Sequence, residues 1–187
     1  MRQTNNRDFV ILVDHEDQEI GYCEKLKAHE FGYLHRAFSI FLFNDQQELL
    51  MQKRAYSKYH SGGLWTNTVC SHPTRGINLV TCAQNRLTEE LGIREDMPEL
   101  TMAFPLLYRQ EVDKGLIEHE YDHVLLGRYN DIPLSFNPDE VDSVAFFPTD
   151  KIDQQLKATP EEFTIWFQLL WPKIAEHLHS ASILSYG

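Results

Sequence analysis

The stretch Leu79–Gly92, LVTCAQNRLTEELG, decides the architecture. Leu79, Val80, Ala83, Leu87 and Leu91 fall on one stripe at helical spacing, and Gly92 supplies the left-handed stop that ends a helix. A helix with one apolar face needs a surface to bury it against. On both sides the pattern changes to that of strands. Upstream, Phe9–Asp14 and Ile20–Glu24 flank a turn-like His15–Gln18, and Ala37–Asn44 (AFSIFLFN) is an apolar run rich in aromatic and branched residues. It ends at the turn signal Asn44-Asp45, and Leu49–Lys53 is expected to close a hairpin on it. Downstream, strands are predicted at Leu100–Arg109, Ile117–Tyr129 and Val141–Phe147.

Beyond these strands the chain turns helical again. Thr159-Pro160-Glu161-Glu162 reads as a capping box with proline at the first helical position. Phe163, Trp166, Phe167, Leu170, Trp171, Ile174 and Leu178 follow at helical spacing, with Pro172 expected to kink or divide the helix. Ser180–Gly187 reads as a frayed tail. Strands, a central helix, more strands and terminal helices make an α+β class, a mixed sheet with helices packed against it.

At 187 residues, without repeat, low-complexity tract or linker, the chain is read as a single domain, 1–187. No apolar stretch approaches the ~20 residues that cross a bilayer. The opening MRQTNNRDFVILVDHEDQ has neither the apolar core nor the cleavage site of a signal peptide, so a cytoplasmic location is expected. Cys23, Cys70 and Cys82 are odd in number and lack C-x-x-C spacing, which argues against a disulfide framework. A formal net charge of −11 argues against nucleic-acid and acidic-membrane partners, but leaves a small anionic substrate open.

Several residues carry chemistry. His29 and His35 lie just ahead of the AFSIFLFN strand, and His72 follows Cys70 by two residues. Glu118 and Glu120 alternate along a predicted strand, so both point to one face while His119 points to the other. Two carboxylates on one face repel unless a cation or a shared proton sits between them. Three histidines and two glutamates would suit a divalent metal such as Zn²⁺ or Mn²⁺. Spacing alone also allows an exposed strand face and satisfied core histidines. Cys70, in WTNTVCSHP, reads either as a small buried hydrophobe or as a proton-exchanging thiol beside His72. Lys25, Arg54, Lys58 and Arg86 are candidates for an anion clamp, against the plainer reading of solvated surface charges.

LHRAFSIFLFN (Leu34–Asn44), GLWTNTVCSHP (Gly63–Pro73), EELGI (Glu89–Ile93) and the IEHE segment (Ile117–Glu120) resemble, in order, the signatures of the type I isopentenyl-diphosphate isomerases. The resemblance runs from about Glu24 to about Trp166. It implies a Nudix-like fold and the metal-dependent interconversion of isopentenyl and dimethylallyl diphosphate by a monomer or homodimer. It also implies His29, His35, His72, Glu118 and Glu120 as ligands of one tightly held Zn²⁺, Mn²⁺ or Mg²⁺. Cys70 and Glu120 become the proton-transfer pair and Tyr108 the hydroxyl beside the glutamate. Glu90 supports the Mg²⁺ that accompanies the diphosphate. Lys25, Arg54, Lys58 and Arg86 bind the diphosphate, and Trp166 flanks the reacting carbons.

The chain departs from the hydrolase signature of that fold. Aligned on EELGI, its leading glycine becomes Ser71, its first glutamate Ile77, and its Arg-Glu pair Asn85-Arg86. Two competing readings are a diphosphohydrolase acting on nucleotides and a non-catalytic metal-binding module. The first needs a carboxylate cluster on Leu79–Leu91, where only Glu89 and Glu90 stand. The second predicts loss of a proton-transfer residue, yet Cys70, Tyr108 and Glu120 are all present.

Overall fold

The computed structural model describes residues 8–131 and 134–184, with backbone alone for 181–184. In chain order the strands are β1 (Phe9–Val13), β2 (Glu19–Glu24), β3 (His35–Phe43), β4 (Glu48–Arg54), β5 (Trp65–Thr66), β6 (Val69–Ser71), β7 (Thr101–Glu111), β8 (Ile117–Arg128) and β9 (Val141–Pro148). The α-helices are α1 (Lys25–Phe31), α2 (Leu79–Leu91), α3 (Thr149–Ala158) and α4 (Ile165–Leu184).

β3 is the spine of the sheet. Eight of its nine residues are buried, so it is covered on both faces, as strands with parallel neighbours usually are. It runs parallel to β8 along its whole length, with His35 opposite Glu120 and Phe43 opposite Arg128. The expected hairpin with β4 forms at the Asn44 turn but is short: the antiparallel strands pair at Phe43 and Leu49, and Asn44 N–H donates to the Glu48 carbonyl at 3.0 Å. They splay because each has a longer partner, β8 for β3 and β9 for β4. β6 fills the gap, pairing Cys70 with Ser39.

Helices cover both faces. On one side, Ala83, Leu87 and Leu91 of α2 pack on Phe38, Ile40 and Leu42. On the other, Trp166, Phe167, Leu170, Trp171 and Ile174 of α4 pack on Phe41, Phe43 and Met51. Asn78 caps α2 by accepting from the Val80 N–H at 2.9 Å. Gly92 ends it with φ of 74°, where an added Cβ would stand 2.4 Å from the Ser135 carbonyl oxygen.

Three helical expectations need correcting. Pro160–Glu162 forms a 3₁₀ turn rather than the first turn of the last helix. Phe163 is then extended and bridges to Trp65, and Thr164 donates its N–H to the Trp65 carbonyl before α4 begins. Pro172 does not divide α4. It stands on the exposed face, where solvent can take the Gln168 carbonyl that the proline leaves without a helical partner. Finally, Ser180–Leu184 continues α4, while residues 185–187 lie outside the described residues. α1 and α3 were not anticipated. Among the described residues, no helix is long and apolar enough to cross a membrane.

Candidate active site

The parallel pairing of β3 and β8 places His35 beside Glu120. On β8 burial alternates, so Glu118, Glu120 and Asp122 share the inner face. His119 points away, its Nδ1 at 2.9 Å from the Gly32 carbonyl oxygen. α1 carries Lys25 and His29 one turn apart, and the end of β6 delivers His72.

The histidine rings are oriented from behind. His29 Nδ1 donates to the Lys25 carbonyl at 2.7 Å and His35 Nδ1 to the Tyr33 carbonyl at 2.8 Å. Each ring thereby turns its Nε2 inward. His35 Nε2 lies 3.2 Å from His72 Nε2, and His72 Nε2 lies 3.0 Å from Glu120 Oε1. His29 Nε2 faces Glu118 Oε2 at 3.3 Å, yet both atoms are buried without a hydrogen-bond partner. Ligand atoms of His29, His35, His72 and Glu120 all lie within 4.8 Å of one another. Converging imidazole nitrogens, a carboxylate and two orphaned buried atoms fit a divalent cation.

Electrostatics agree. Burial holds His72 down to about 4, so the ring is neutral at pH 7 and free to ligate. Burial would push the Glu118 carboxyl up, but His29 and His60 outweigh it and hold it well below the usual range. Burial and Glu118 likewise oppose ionisation of Glu120, and His35 and His72 overcome them. At His29, burial is outweighed by Glu118, which raises the ring's proton affinity; a carboxylate that attracts a proton there attracts a metal ion equally. Asp122 differs. Burial and Glu120 push its carboxyl well above the ordinary range, and its Oδ2 accepts from the Ser39 hydroxyl at 2.8 Å.

In front of this cluster lies a cavity of about 570 Å³ whose wall includes Lys25, Arg54, Lys58, Cys70, His72, Arg86, Glu90, Tyr108, Glu118, Glu120 and Trp166. His29 and His35 stand behind the wall, fully buried. Tyr108 donates its hydroxyl to Glu120 Oε2 at 2.6 Å, and burial together with Glu120 keeps the phenol protonated. Cys70 sits at the wall with Arg54 Nη1 4.0 Å from its sulfur. Burial pushes its thiol up to about 12 despite that guanidinium.

The basic residues are disposed unequally. Arg86 is tied to Glu89, Glu90 and Glu140, and Lys58 to Glu140. Lys25 lies over the Tyr59 ring at 5.2 Å, and burial, then the nearby Lys58, lower its proton affinity. Arg54 is buried, its Nε unpartnered, with no carboxylate partner among the described residues. A buried guanidinium in that state calls for an anion. Trp166 stacks against Arg54 at 5.1 Å and is pinned by its indole N–H to Thr66 Oγ1 at 2.9 Å. The Glu90 carboxylate is engaged by Arg86 through Oε1 and by Gln52 through Oε2.

Every residue singled out from the sequence therefore meets in one region. Sequence reasoning missed His60, whose Nε2 lies 3.0 Å from Glu118 Oε1, and Glu140, which pairs with two of the clamp cations. His60 stands in the segment between β4 and β5. Its proximity to Arg54 and Lys58 in sequence was the available signal.

The fold and site together define a Nudix-type α+β protein with a buried His/Glu centre opening on a cavity lined by basic side chains. The NUDIX domain model matches residues 33–167. The isopentenyl-diphosphate Delta-isomerase of Pectobacterium atrosepticum is 49% identical over 168 residues, covering 90% of this chain and 92% of the relative. That of Aliivibrio fischeri strain MJ11 is 40% identical, covering 94% and 99%. Among solved structures, the Deinococcus radiodurans protein DR0079 superposes with a TM-score of 0.72 at 17% identity, covering 88% of this chain and 98% of that one. A MutT protein from Methanosarcina mazei follows at 0.61 and 15%, covering 76% and 94%; these two likenesses show the fold alone. The chain belongs to the NUDIX family, and within it to the isopentenyl-diphosphate Delta-isomerases.

Proposed function

We propose that residues 1–187 act as one domain that interconverts isopentenyl diphosphate and dimethylallyl diphosphate through a tertiary carbocation. The observation that carries this reading is the meeting of Cys70 and the Tyr108–Glu120 pair at a cavity that also holds Arg54, a buried arginine with no carboxylate partner among the described residues. Protonation of an unactivated alkene requires a positioned acid, a base on the other face and exclusion of water. In the free site Cys70 carries a proton and Glu120 does not. The pair thus holds one exchangeable proton, which is the balance an isomerisation needs: one carbon gains a proton and another loses one. Tyr108 keeps Glu120 oriented and stabilises its charge. Trp166 offers its π-face to the cation, worth ~2 kcal/mol in a dry site.

Arg54, Lys25, Lys58 and Arg86 would receive the diphosphate, with Glu90 supporting the Mg²⁺ that neutralises it. A tightly held Zn²⁺, Mn²⁺ or Mg²⁺ on His29, His35, His72, Glu118 and Glu120 would fix the carboxylates and hold Glu120 ionised. Glu89 and Glu90 of α2 are both engaged by Arg86, which speaks against a multi-metal hydrolase cluster there. Three free thiols fit the reducing cytoplasm.

The test is proton NMR of isopentenyl diphosphate with the protein and Mg²⁺ in D₂O. Dimethylallyl methyl signals carrying deuterium should grow in, and should be absent with folded Cys70→Ala and Glu120→Gln. Near-normal turnover in either variant would refute the two-residue proton transfer. Release of phosphate or pyrophosphate would favour hydrolysis instead.

A further inference from the structure

His60 has no part in the proton transfer described above and is not among the five residues assigned to the metal. It is nevertheless 2% exposed and in contact with that centre. Its Nε2 lies 3.0 Å from Glu118 Oε1, while the other oxygen of the same carboxylate, Oε2, faces His29 Nε2. We propose that His60 is a positioning residue for Glu118. It donates an N–H to Oε1, so that Glu118 presents Oε2 alone to the His29 side of the centre. The inference rests on the metal-centre reading given above.

Hydrogen-bond chemistry separates this role from direct ligation. His29 and His35 each use Nδ1 on a backbone carbonyl and turn Nε2 inward. His60 makes no such backbone bond. Its Nδ1 lies 3.1 Å from Ser61 Oγ, a hydroxyl that can donate to it. His72 Nε2 also faces a carboxylate oxygen, but it shares that oxygen with His35 Nε2 only 3.2 Å away, as converging ligand atoms do. His60 Nε2 meets Glu118 Oε1 while its Nδ1 can accept from Ser61, which places the ring's proton on Nε2. A protonated Nε2 cannot ligate a metal.

The ring is also held against movement. Arg54 donates to the His60 carbonyl at 3.2 Å, Ser61 N–H is fixed by Asp113 at 2.8 Å, and Trp166 packs against the imidazole at 5.8 Å between ring centres. Hydrogen bonds to the free atoms of ligating groups fix their orientation and typically matter by ~10–100-fold in metal affinity.

The experiment uses Zn²⁺-loaded full-length protein labelled with ¹⁵N-histidine. Proton–nitrogen correlation spectra should show His60 with a protonated Nε2, while His29, His35 and His72 show coordinated Nε2. A coordinated Nε2 on His60 overturns the proposal, and this reading needs no variant to fold. In parallel, chelator competition should show Zn²⁺ affinity reduced roughly 10–100-fold in His60→Leu and largely restored in His60→Gln, whose amide can donate from a similar position. Unchanged affinity in folded His60→Leu, alongside lost affinity in His35→Ala, overturns the role of His60 and leaves the metal centre standing. Absence of tight Zn²⁺ binding in the wild-type protein would overturn both.

Discussion

Tyr108 and Glu120 stand opposite one another on the antiparallel strands β7 and β8, and the phenol hydroxyl meets the carboxylate at 2.6 Å. β7 thus reads Glu120 from one side while β3 reads it from the other through His35. The ring of Tyr108 packs in the apolar cluster formed with α4, so removing only its hydroxyl should leave packing intact. Tyr108→Phe should therefore fold normally and keep its metal, while kcat falls by ~10–100-fold, at or below the lower limit of what positioned proton transfer contributes because Tyr108 acts through Glu120. Steady-state kinetics and metal analysis check this. A normal kcat would reduce Tyr108 to core packing.

His29 Nε2 and Glu118 Oε2 are buried without partners, so the folded chain is less stable until a cation fills the space between them. Binding to the folded state alone stabilises by ~2.7 kcal/mol at a hundred times Kd. For a chain of this size, prolonged chelation should lower Tm by roughly 5–11 °C, and Zn²⁺ or Mn²⁺ should restore it. His72→Ala should start lower and respond little to either treatment. Calorimetry before and after chelation decides it, and an equal Tm for metal-loaded and metal-stripped wild type would count against the centre.

The main strands were legible because their apolar runs are long and flanked by turn signals. α2 was legible from its stripe and its Gly92 stop. α1 and α3 escaped notice because they are short and bury little: Ala28 and His29 in the first, Ile152 in the second. The start of α4 was misplaced because the local capping signal at Thr159 lost to a tertiary contact, the docking of Phe163 and Thr164 on Trp65. At the site, alternation showed that Glu118 and Glu120 share a face, but no periodicity brings His29, His35 and His72 to them. The parallel β3–β8 pairing brings His35 to them, α1 brings His29 and the end of β6 brings His72. His60 and Glu140 lie in irregular or strand-edge backbone, where spacing says nothing about which groups will meet.

Glu140 allows a pH test away from the metal ligands. Burial would push its carboxyl up, but Lys58 and Arg86 hold it below the ordinary 4.5. A group depressed in the folded state contributes stability that is complete above its ordinary pKa and is lost as pH falls through the folded value. Glu140→Gln should thus lower Tm at pH 7, and the gap from wild type should narrow below about pH 4.5, the ordinary value for this carboxyl. Thermal melts from pH 7 down to 3 read this directly. A gap that stays constant would assign its role to packing rather than charge.

Gly92 and Gly76 separate backbone strain from collision. Both have positive φ, 74° and 79°. A Cβ at Gly76 meets nothing within 4 Å, whereas at Gly92 it stands 2.4 Å from the Ser135 carbonyl oxygen. Gly76→Ala should cost only the left-handed conformation, ~1 kcal/mol. Gly92→Ala adds a clash with backbone that a flexible side chain cannot relieve, and should cost ~2–4 kcal/mol, or roughly 4–16 °C in Tm for a chain of this size. The displaced segment is joined to α2 by the Asn137 N–H, which donates to the Glu90 carbonyl at 2.8 Å. Gly92→Ala should therefore also weaken diphosphate binding through Arg86 and Glu90, raising KM more than it lowers kcat. Equal Tm losses in the two variants would mean that the chain gives way at Ser135 and that the close approach does not constrain this end of the helix.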